Sequence, residues 1–129
     1  MKHILVTGLL LTSLAAGILY FQKQRKNMAV ERVVGVHVTN EAQYQQYREH
    51  MMPILREYGG QFTWDVKVSE VLKTPVEGEF NRLFTLRFPN IQALENFFAN
   101  EDYKKIKKTF FTPSVSSTSY LAKYDLSHE

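Results

Sequence analysis

His37 is the residue whose type and surroundings most suggest chemistry. It lies in the segment Val33–Val38, whose other members are valine and glycine. The imidazole of histidine changes charge near neutral pH, so a histidine in an apolar strand is a candidate general base or a group that orients a ligand. The alternative interpretation is a partly buried histidine that hydrogen-bonds a neighbour or lies at a subunit surface.

Arg82 and Glu70 are the charged candidates to act beside His37. Both belong to segments that are predicted to form neighbouring strands. Arg82 can hold an anionic group while Glu70 carries a proton, or the two side chains can pair with each other. His37, Arg82 and Glu70 therefore form the candidate catalytic set, although the sequence names no reaction and leaves open whether the protein is an enzyme.

Three aromatic residues are candidates to line a ligand pocket. Tyr47, Trp64 and Tyr103 carry large ring surfaces, and the two tyrosines add hydroxyl groups that can orient an aromatic or polyketide-like ligand. The alternative is ordinary packing, because a tyrosine on the apolar side of a helix commonly buries its ring and keeps its hydroxyl at the rim.

Several other kinds of chemistry find no support in the sequence. The chain has no cysteine, which excludes disulfides, thiol catalysis and thiolate metal sites. Its histidines lack the spacing of metal ligands, and His37 alone does not establish haem ligation. No glycine-rich phosphate loop or nucleophile elbow is found. We therefore expect neither a metal ion nor a cofactor.

The longest helix predicted for the domain lies within Asn40–Gln61. Asn40 is a good N-cap, and Gln43 completes a capping box. Apolar side chains recur at spacings of three and four residues, which predicts one buried helix stripe: Tyr44, Tyr47, Met51, Ile54 or Leu55, and Tyr58. Pro53 is expected to bend or restart this helix, and Gly59-Gly60 is expected to end it.

The remaining pattern predicts four strands and further helices. The predicted strands are Val33–Val38, Gln61–Leu72, Phe80–Phe88 and Val115–Tyr124, with a second helix after the cap Asn90 and a short one after Asn100. The order βαββαβ is that of ferredoxin-like α+β domains with a four-stranded antiparallel sheet. Because two helices cover only one face of such a sheet, a second copy of the chain is the simplest cover for the other face, and we expect a homodimer.

Ile4–Phe21 is an uncharged and mostly apolar segment whose length as a helix approaches the thickness of a bilayer. Together with the basic residues just behind it, this segment predicts a hydrophobic helix and single-pass membrane anchor in residues 1–27, with the domain of residues 28–129 on the cytoplasmic side. Two alternatives stay open. A signal segment would deliver a secreted or periplasmic domain, and translation from Met28 would leave a soluble cytoplasmic domain.

The net charge of +3 comes from that N-terminal segment. Residues 1–27 hold four of the 16 basic residues and no acidic ones, so the rest of the chain holds 12 basic residues and all 13 acidic ones. This balance removes the main electrostatic argument for a nucleic-acid partner. The basic run Lys104–Lys108 can contact acidic lipid beside the anchor, or it can form an ordinary solvated helix face.

The order of several short motifs resembles one known family. These motifs are Tyr44-x-x-Tyr47, Tyr58-Gly59-Gly60, Arg82 in a strand that ends Phe88-Pro89, and then Ala93, Phe97-Phe98 and Tyr103. Over about residues 30–125 the pattern resembles the family named domain of unknown function 1330. The resemblance implies the dimeric α/β-barrel superfamily, in which two sheets face each other and a pocket lies between sheet and helices.

The same resemblance limits what can be said about activity. Members of the superfamily include cofactor-free monooxygenases, isomerases of small ring compounds and haem-dependent enzymes, whereas this family has no settled activity. The chain also departs from the family at the end of the second strand. An acid-glycine pair is common there, but this chain has Lys73-Thr74, and Glu77-Gly78 follows four residues later in a longer loop.

Three functions are compatible with these features. The first is a membrane-tethered dimeric domain that binds a small organic molecule. The second is a cofactor-free enzyme of the monooxygenase or isomerase type, with His37 as the base and Arg82 holding an anionic intermediate. The third is a structural domain that serves only to dimerise.

Overall fold

The computed structural model describes residues 13–24 and 27–126. The chain folds into a helix α1 (residues 13–24) followed by an α+β domain. The elements of that domain are β1 (Ala29–Val38), α2 (Glu41–Glu57), β2 (Gln61–Lys67), β3 (Arg82–Phe88), α3 (Ile91–Ala99), α4 (Glu101–Ile106) and β4 (Val115–Leu126), with a π-helical turn at Lys107–Phe111 and a 3₁₀ turn at Thr112–Ser114.

Residues 1–12 and 25–26 of the predicted anchor segment lie outside the described residues. In the part of the chain that the structure describes, no helix is both long and apolar enough to cross a bilayer. The membrane anchor, the signal segment and the internal start at Met28 therefore all stay predictions from the sequence.

The four strands form one antiparallel sheet in the order β2-β3-β1-β4. This order confirms the predicted ferredoxin-like arrangement. Two strands are shorter than predicted: β2 ends at Lys67 and not at Leu72, and β3 begins at Arg82 and not at Phe80. A single backbone hydrogen bond, from Val68 N to Asn81 O at 2.8 Å, follows the last pair of the ladder. Glu70 consequently lies in the connection between β2 and β3, so its predicted place on a strand is wrong.

Helix α2 begins as predicted and packs its stripe against the sheet. The Asn40 side chain accepts a hydrogen bond from Gln43 N, but the Gln43 side chain reaches Thr109 O and does not return to the cap. The buried residues of the helix are Tyr44, Tyr47, Arg48, Met51 and Leu55. The helix runs on through Pro53 without a break, and Gly59 follows its end in the left-handed conformation, with φ of 72°.

The core lies between α2, α3 and one face of the sheet, which is called the helix face below. β1 contributes alternate valines to it, and β3 contributes Phe84, Leu86 and Phe88. Phe88 and Phe97 are fully buried and their ring centroids are 5.6 Å apart. Burial of one such ring is worth about 1.5–3 kcal/mol, so these contacts fix α3 on the sheet.

A β-bulge in β2 changes which residues face the core. Phe62 is opposite Leu86, but the next pair is Trp64 with Thr85, so Thr63 is an extra residue in the strand. Side chains alternate between faces in a regular strand, and one inserted residue reverses the alternation beyond it. Thr63 and Trp64 therefore both lie on the open face, opposite the helices, and Asp65 returns to the helix face.

Asp65 uses that position to bind two arginines. Arg82 donates two hydrogen bonds to its carboxylate, at 3.0 and 3.1 Å, and Arg48 Nη2 on α2 lies 2.9 Å from Asp65 Oδ2. Burial alone would raise the pKa of Asp65, but the hydrogen bonds and positive charges of Arg82 and Arg48 outweigh it and lower that pKa. The bulge thus ties β2 to β3 and α2 through one carboxylate.

We predict that Asp65→Asn destabilises the domain by about 1–3 kcal/mol, because the substitution leaves two poorly hydrated guanidinium groups without their shared carboxylate. Urea unfolding at pH 7 measures the loss. A carboxylate whose folded pKa is lowered stabilises the fold above its unfolded pKa, near 3.8 here, and loses that contribution as pH falls through the folded pKa. The difference from the unsubstituted protein should therefore be constant from pH 5 to 7 and shrink below about pH 4.

The matched control for this prediction is Glu57→Gln, which removes one exposed carboxylate at the end of α2. Its effect should stay within about 0.5 kcal/mol. Equal stability losses in the two variants would contradict a structural role for the Asp65 ion pairs.

Candidate functional site

His37 lies on the open face of β1, near the end of the strand. A second bulge lies beside it in β4, where His37 pairs with Ser117 and Val38 pairs with Val115. The extra residue, Ser116, brings its hydroxyl to 2.7 Å from His37 Nδ1. The other ring nitrogen, Nε2, lies 3.9 Å from a carboxylate oxygen of Glu79. The imidazole is thus hydrogen-bonded to a hydroxyl on one side and has a largely exposed carboxylate near the other, with 30% of its own side chain exposed.

A cavity of about 390 Å³ opens next to His37. Its other walls come from the connection between β2 and β3, which contributes Glu70, Thr74, Glu79 and Phe80 among others. His37 and Glu70, two of the three candidate catalytic residues, therefore lie on one cavity. The longer loop noted in the sequence supplies most of its wall.

Because Gly35 has no side chain, the connection between β2 and β3 can pack closely against the sheet at this point. A Cβ on Gly35 would lie 2.9 Å from the ring of Phe80, closer than carbon atoms normally approach. The missing side chain lets the Phe80 ring pack directly on β1, where it forms one wall of the cavity.

Asn81 fastens the other end of the loop. Val38 N donates to Asn81 Oδ1 at 2.8 Å, and Asn81 Nδ2 donates to Val38 O at 2.9 Å. The backbone N–H of Asn81 donates to Val36 O at 3.0 Å. The asparagine therefore continues the ladder of β1 with both its backbone and its side chain, and it holds the cavity against the sheet.

Arg82 does not line the cavity beside His37. Its guanidinium lies on the helix face, bound to Asp65, 3.7 Å from Glu41 and 5.1 Å above the ring of Tyr44. The two residues project from opposite faces of the sheet, because in the register Arg82 is paired with Val36, the neighbour of His37. The expected pairing of Arg82 with Glu70 is wrong. Arg82 forms its ion pair with Asp65, and Glu70 lines the His37 cavity.

Tyr47 and Tyr103 do meet between the sheet and the helices. Their hydroxyl oxygens are 3.0 Å apart and buried. Burial raises the pKa of Tyr103 to about 12, and burial together with the neighbouring tyrosine raises the pKa of Tyr47 well above its ordinary value. Both are therefore neutral hydroxyls at physiological pH. The cavity that they line is about 30 Å³, which is room for about one water molecule.

Trp64 lies away from these tyrosines. The Thr63 bulge turns it to the open face, where 67% of the residue is exposed. The predicted set of Tyr47, Trp64 and Tyr103 is therefore divided between two faces of the sheet. A pocket-lining role for the two tyrosines stays a prediction.

An acid on the open face was not anticipated from the sequence. Glu31 is only 5% exposed, and its carboxylate accepts hydrogen bonds from the hydroxyls of Thr63 and Tyr124. Arg87 Nε lies 3.4 Å away. Burial alone would raise the pKa of Glu31, but these hydroxyls and the arginine outweigh it and lower that pKa. The predicted first strand begins at Val33 whereas β1 begins at Ala29, so the sequence pattern assigns Glu31 to no face.

The described residues offer no ready place for a metal ion. Across residues 13–24 and 27–126, no group of three or more histidine, aspartate or glutamate side chains is arranged to hold one. The polar side chains that line the His37 cavity are an imidazole, two carboxylates, two hydroxyl groups and the Asn81 amide.

Comparisons with solved structures agree on the fold. The chain is similar to a protein of unknown function from Rhodopseudomonas palustris, with 14% identity, 88% of this chain and 94% of the other covered, and a TM-score of 0.64. It is also similar to a hydroxynitrile lyase from Passiflora edulis, with 16% identity, coverage of 80% and 97%, and a TM-score of 0.53. At these identities the likeness establishes the ferredoxin-like fold alone.

A third similar structure is a dimeric protein of unknown function with a ferredoxin-like fold from Bacteroides fragilis, with 10% identity, coverage of 76% and 96%, and a TM-score of 0.50. No curated protein matches the chain significantly. The family described as Domain of unknown function (DUF1330) matches residues 32–116, in agreement with the resemblance of the sequence motifs. With most of its folded domain matched, the chain belongs to this DUF1330 family.

Proposed function

We propose that the protein is a homodimeric domain that binds a small organic molecule in the cavity beside His37. The observation that carries the proposal is the cavity itself. Its volume of about 390 Å³ falls within the range of small-molecule sites, roughly 300–1,000 Å³. The sheet–helix cavity at Tyr47 and Tyr103 is too small, as packed, to take the body of a ligand.

The charge of the cavity limits the kind of ligand. Glu70 and Glu79 are among its lining residues, and no lysine or arginine is. Two carboxylates repel an anion and attract hydrogen-bond donors and cations. The proposed ligand is therefore a neutral or cationic molecule with donor groups, such as a phenol or an amine.

The dimer is supported by the open face. Trp64, Val66 and Tyr124 expose 67%, 40% and 42% of their surface there, while the helices cover only the opposite face. The similar protein from Bacteroides fragilis is dimeric with the same kind of fold. A second copy that packs face to face would bury these side chains, as the dimeric α/β-barrel interpretation requires.

A second candidate function is proton-transfer catalysis at the same cavity. The observation that favours it is the placement of His37 between the Ser116 hydroxyl and the Glu79 carboxylate, with Glu70 on the same cavity. Such an imidazole can remove a proton from a bound molecule. Arg82, which lies on the other face of the sheet, cannot hold the resulting anion, so this mechanism relies on His37 without Arg82.

For the binding proposal, we predict that catechol or benzylamine raises the melting temperature of the protein, by about 5 °C at roughly tenfold the dissociation constant. Benzoate, which carries the opposite charge to benzylamine, should give no shift that depends on His37 or Glu70. His37→Gln and Glu70→Gln should abolish the shift. Differential scanning fluorimetry on the full chain measures it.

His50→Gln is the matched control, because His50 lies on α2 and bonds its own helix at Gln46 O. It should leave the shift intact. If neither compound shifts the melt, or if His37→Gln behaves like His50→Gln, the binding proposal fails and a purely structural dimerisation domain gains. Proton NMR of a bound compound in D₂O separates catalysis from binding, because only catalysis makes its C–H exchange depend on His37.

For the dimer, we predict that Trp64→Glu converts it to a monomer, because the substitution removes a large exposed ring and places a charge on the proposed interface. Sedimentation velocity of the full chain gives the mass. Gln46→Glu introduces the same charge on the exposed side of α2 and should leave the dimer unchanged. A monomeric unsubstituted protein at micromolar concentration would sink the interface proposal without touching the His37 cavity.

A further inference from the structure

Arg32 occupies an unusual position on the helix face. It belongs to β1, and its side chain reaches the edge of the core between two aromatic rings. The guanidinium carbon lies 4.5 Å from the ring centroid of Phe98 on α3 and 5.2 Å from that of Tyr120 on β4. Stacking of this kind holds the guanidinium in a fixed plane and leaves its N–H groups available for hydrogen bonds.

This arginine lacks a carboxylate partner in the described part of the chain. None of the described Asp or Glu oxygens lies within ion-pair distance of it, whereas Arg48 and Arg82 share Asp65 and Arg87 lies beside Glu31. An arginine that is half-buried against two rings has given up part of its hydration. An anion is the group that would restore the lost interactions.

The surroundings of Arg32 form a groove of about 500 Å³. Leu94 and the rings of Phe98 and Tyr120 give it apolar walls, and Lys104 and Lys107 add two positive charges against the single carboxylate of Glu95. The small cavity between sheet and helices shares five lining residues with this groove: Arg32, Phe98, Tyr103, Lys107 and Tyr120. The groove therefore lies next to that cavity and shares part of its wall.

We propose that this groove is a second ligand site that takes an aromatic carboxylate. The carboxylate binds the free edge of the Arg32 guanidinium, with Lys107 adding charge, because a planar guanidinium matches a carboxylate in a bidentate arrangement. The ring of the ligand lies against Phe98 and Leu94, where aromatic and apolar contacts exclude water. The site differs from the His37 cavity in face, in lining and in the sign of its charge.

The test compares two probes of the same shape, 2-naphthoate and 2-naphthamide, by isothermal titration calorimetry on the full chain. The expected result is that naphthoate binds and naphthamide binds about tenfold more weakly or worse, since only the acid makes charge-assisted hydrogen bonds. Arg32→Gln should weaken naphthoate binding by about the same factor and leave naphthamide almost unaffected.

Arg56→Gln is the charge-matched control, because Arg56 is exposed in the last turn of α2; it should leave the naphthoate affinity within about twofold. If Arg32→Gln lowers the melting temperature markedly, Lys107→Gln takes its place, with an expected loss of about threefold. Equal affinities for the two probes, no naphthoate binding at millimolar concentration, or full affinity in both the Arg32 and the Lys107 variants would each overturn the proposal.

Discussion

One extra residue in β2 determines the organisation of both faces of the sheet. Thr63 has no partner of its own in the ladder, so the strand changes phase between Phe62 and Trp64. Phe62 before the bulge packs on the core, and Asp65 after it reaches the same face. A regular strand would bury Trp64 beside the helices and place Asp65 on the open face, away from the arginines.

The charges of the domain follow from this arrangement. On the helix face, Asp65 compensates Arg48 and Arg82 at one edge of the core, while Arg32 at the other edge has rings for neighbours. On the open face, Glu31 accepts hydrogen bonds from the hydroxyls of Thr63, in the bulge, and Tyr124, on β4. A nearly neutral domain thus contains separate regions of opposite sign, which total charge and isoelectric point do not reveal.

The fold was largely predictable, because its signals are local. The valine-rich β1, the Asn40, Asn90 and Asn100 caps and the stripe of α2 all act over a few residues, and the structure has each of them. The candidate site was predictable only in part. His37 and Glu70 share a cavity as candidates for one site, but Glu70 does so from a loop and not from a strand.

The errors at Trp64 and Arg82 have one physical origin. Regular alternation along β2 would place Phe62, Trp64 and Val66 on one face, and no residue type at Thr63 indicates that the strand is interrupted there. A bulge is decided by pairing with β3, which lies about twenty residues away along the chain. The same non-local pairing assigns Arg82 to Asp65, so neither side chain alone indicates its partner.

The fastening of Asn81 to β1 has a consequence for how the protein can diversify. The asparagine pairs with Val36 and Val38 through backbone and side chain, so β3 enters the sheet in the same register whatever precedes it. Residues 69–79 can then lengthen, shorten or change composition at little cost to folding. The connection between β2 and β3 can therefore vary while the sheet stays the same, and the longer connection of this chain is one such variant. Under the proposed function, changes in this connection alter ligand selectivity and leave the rest of the domain unchanged.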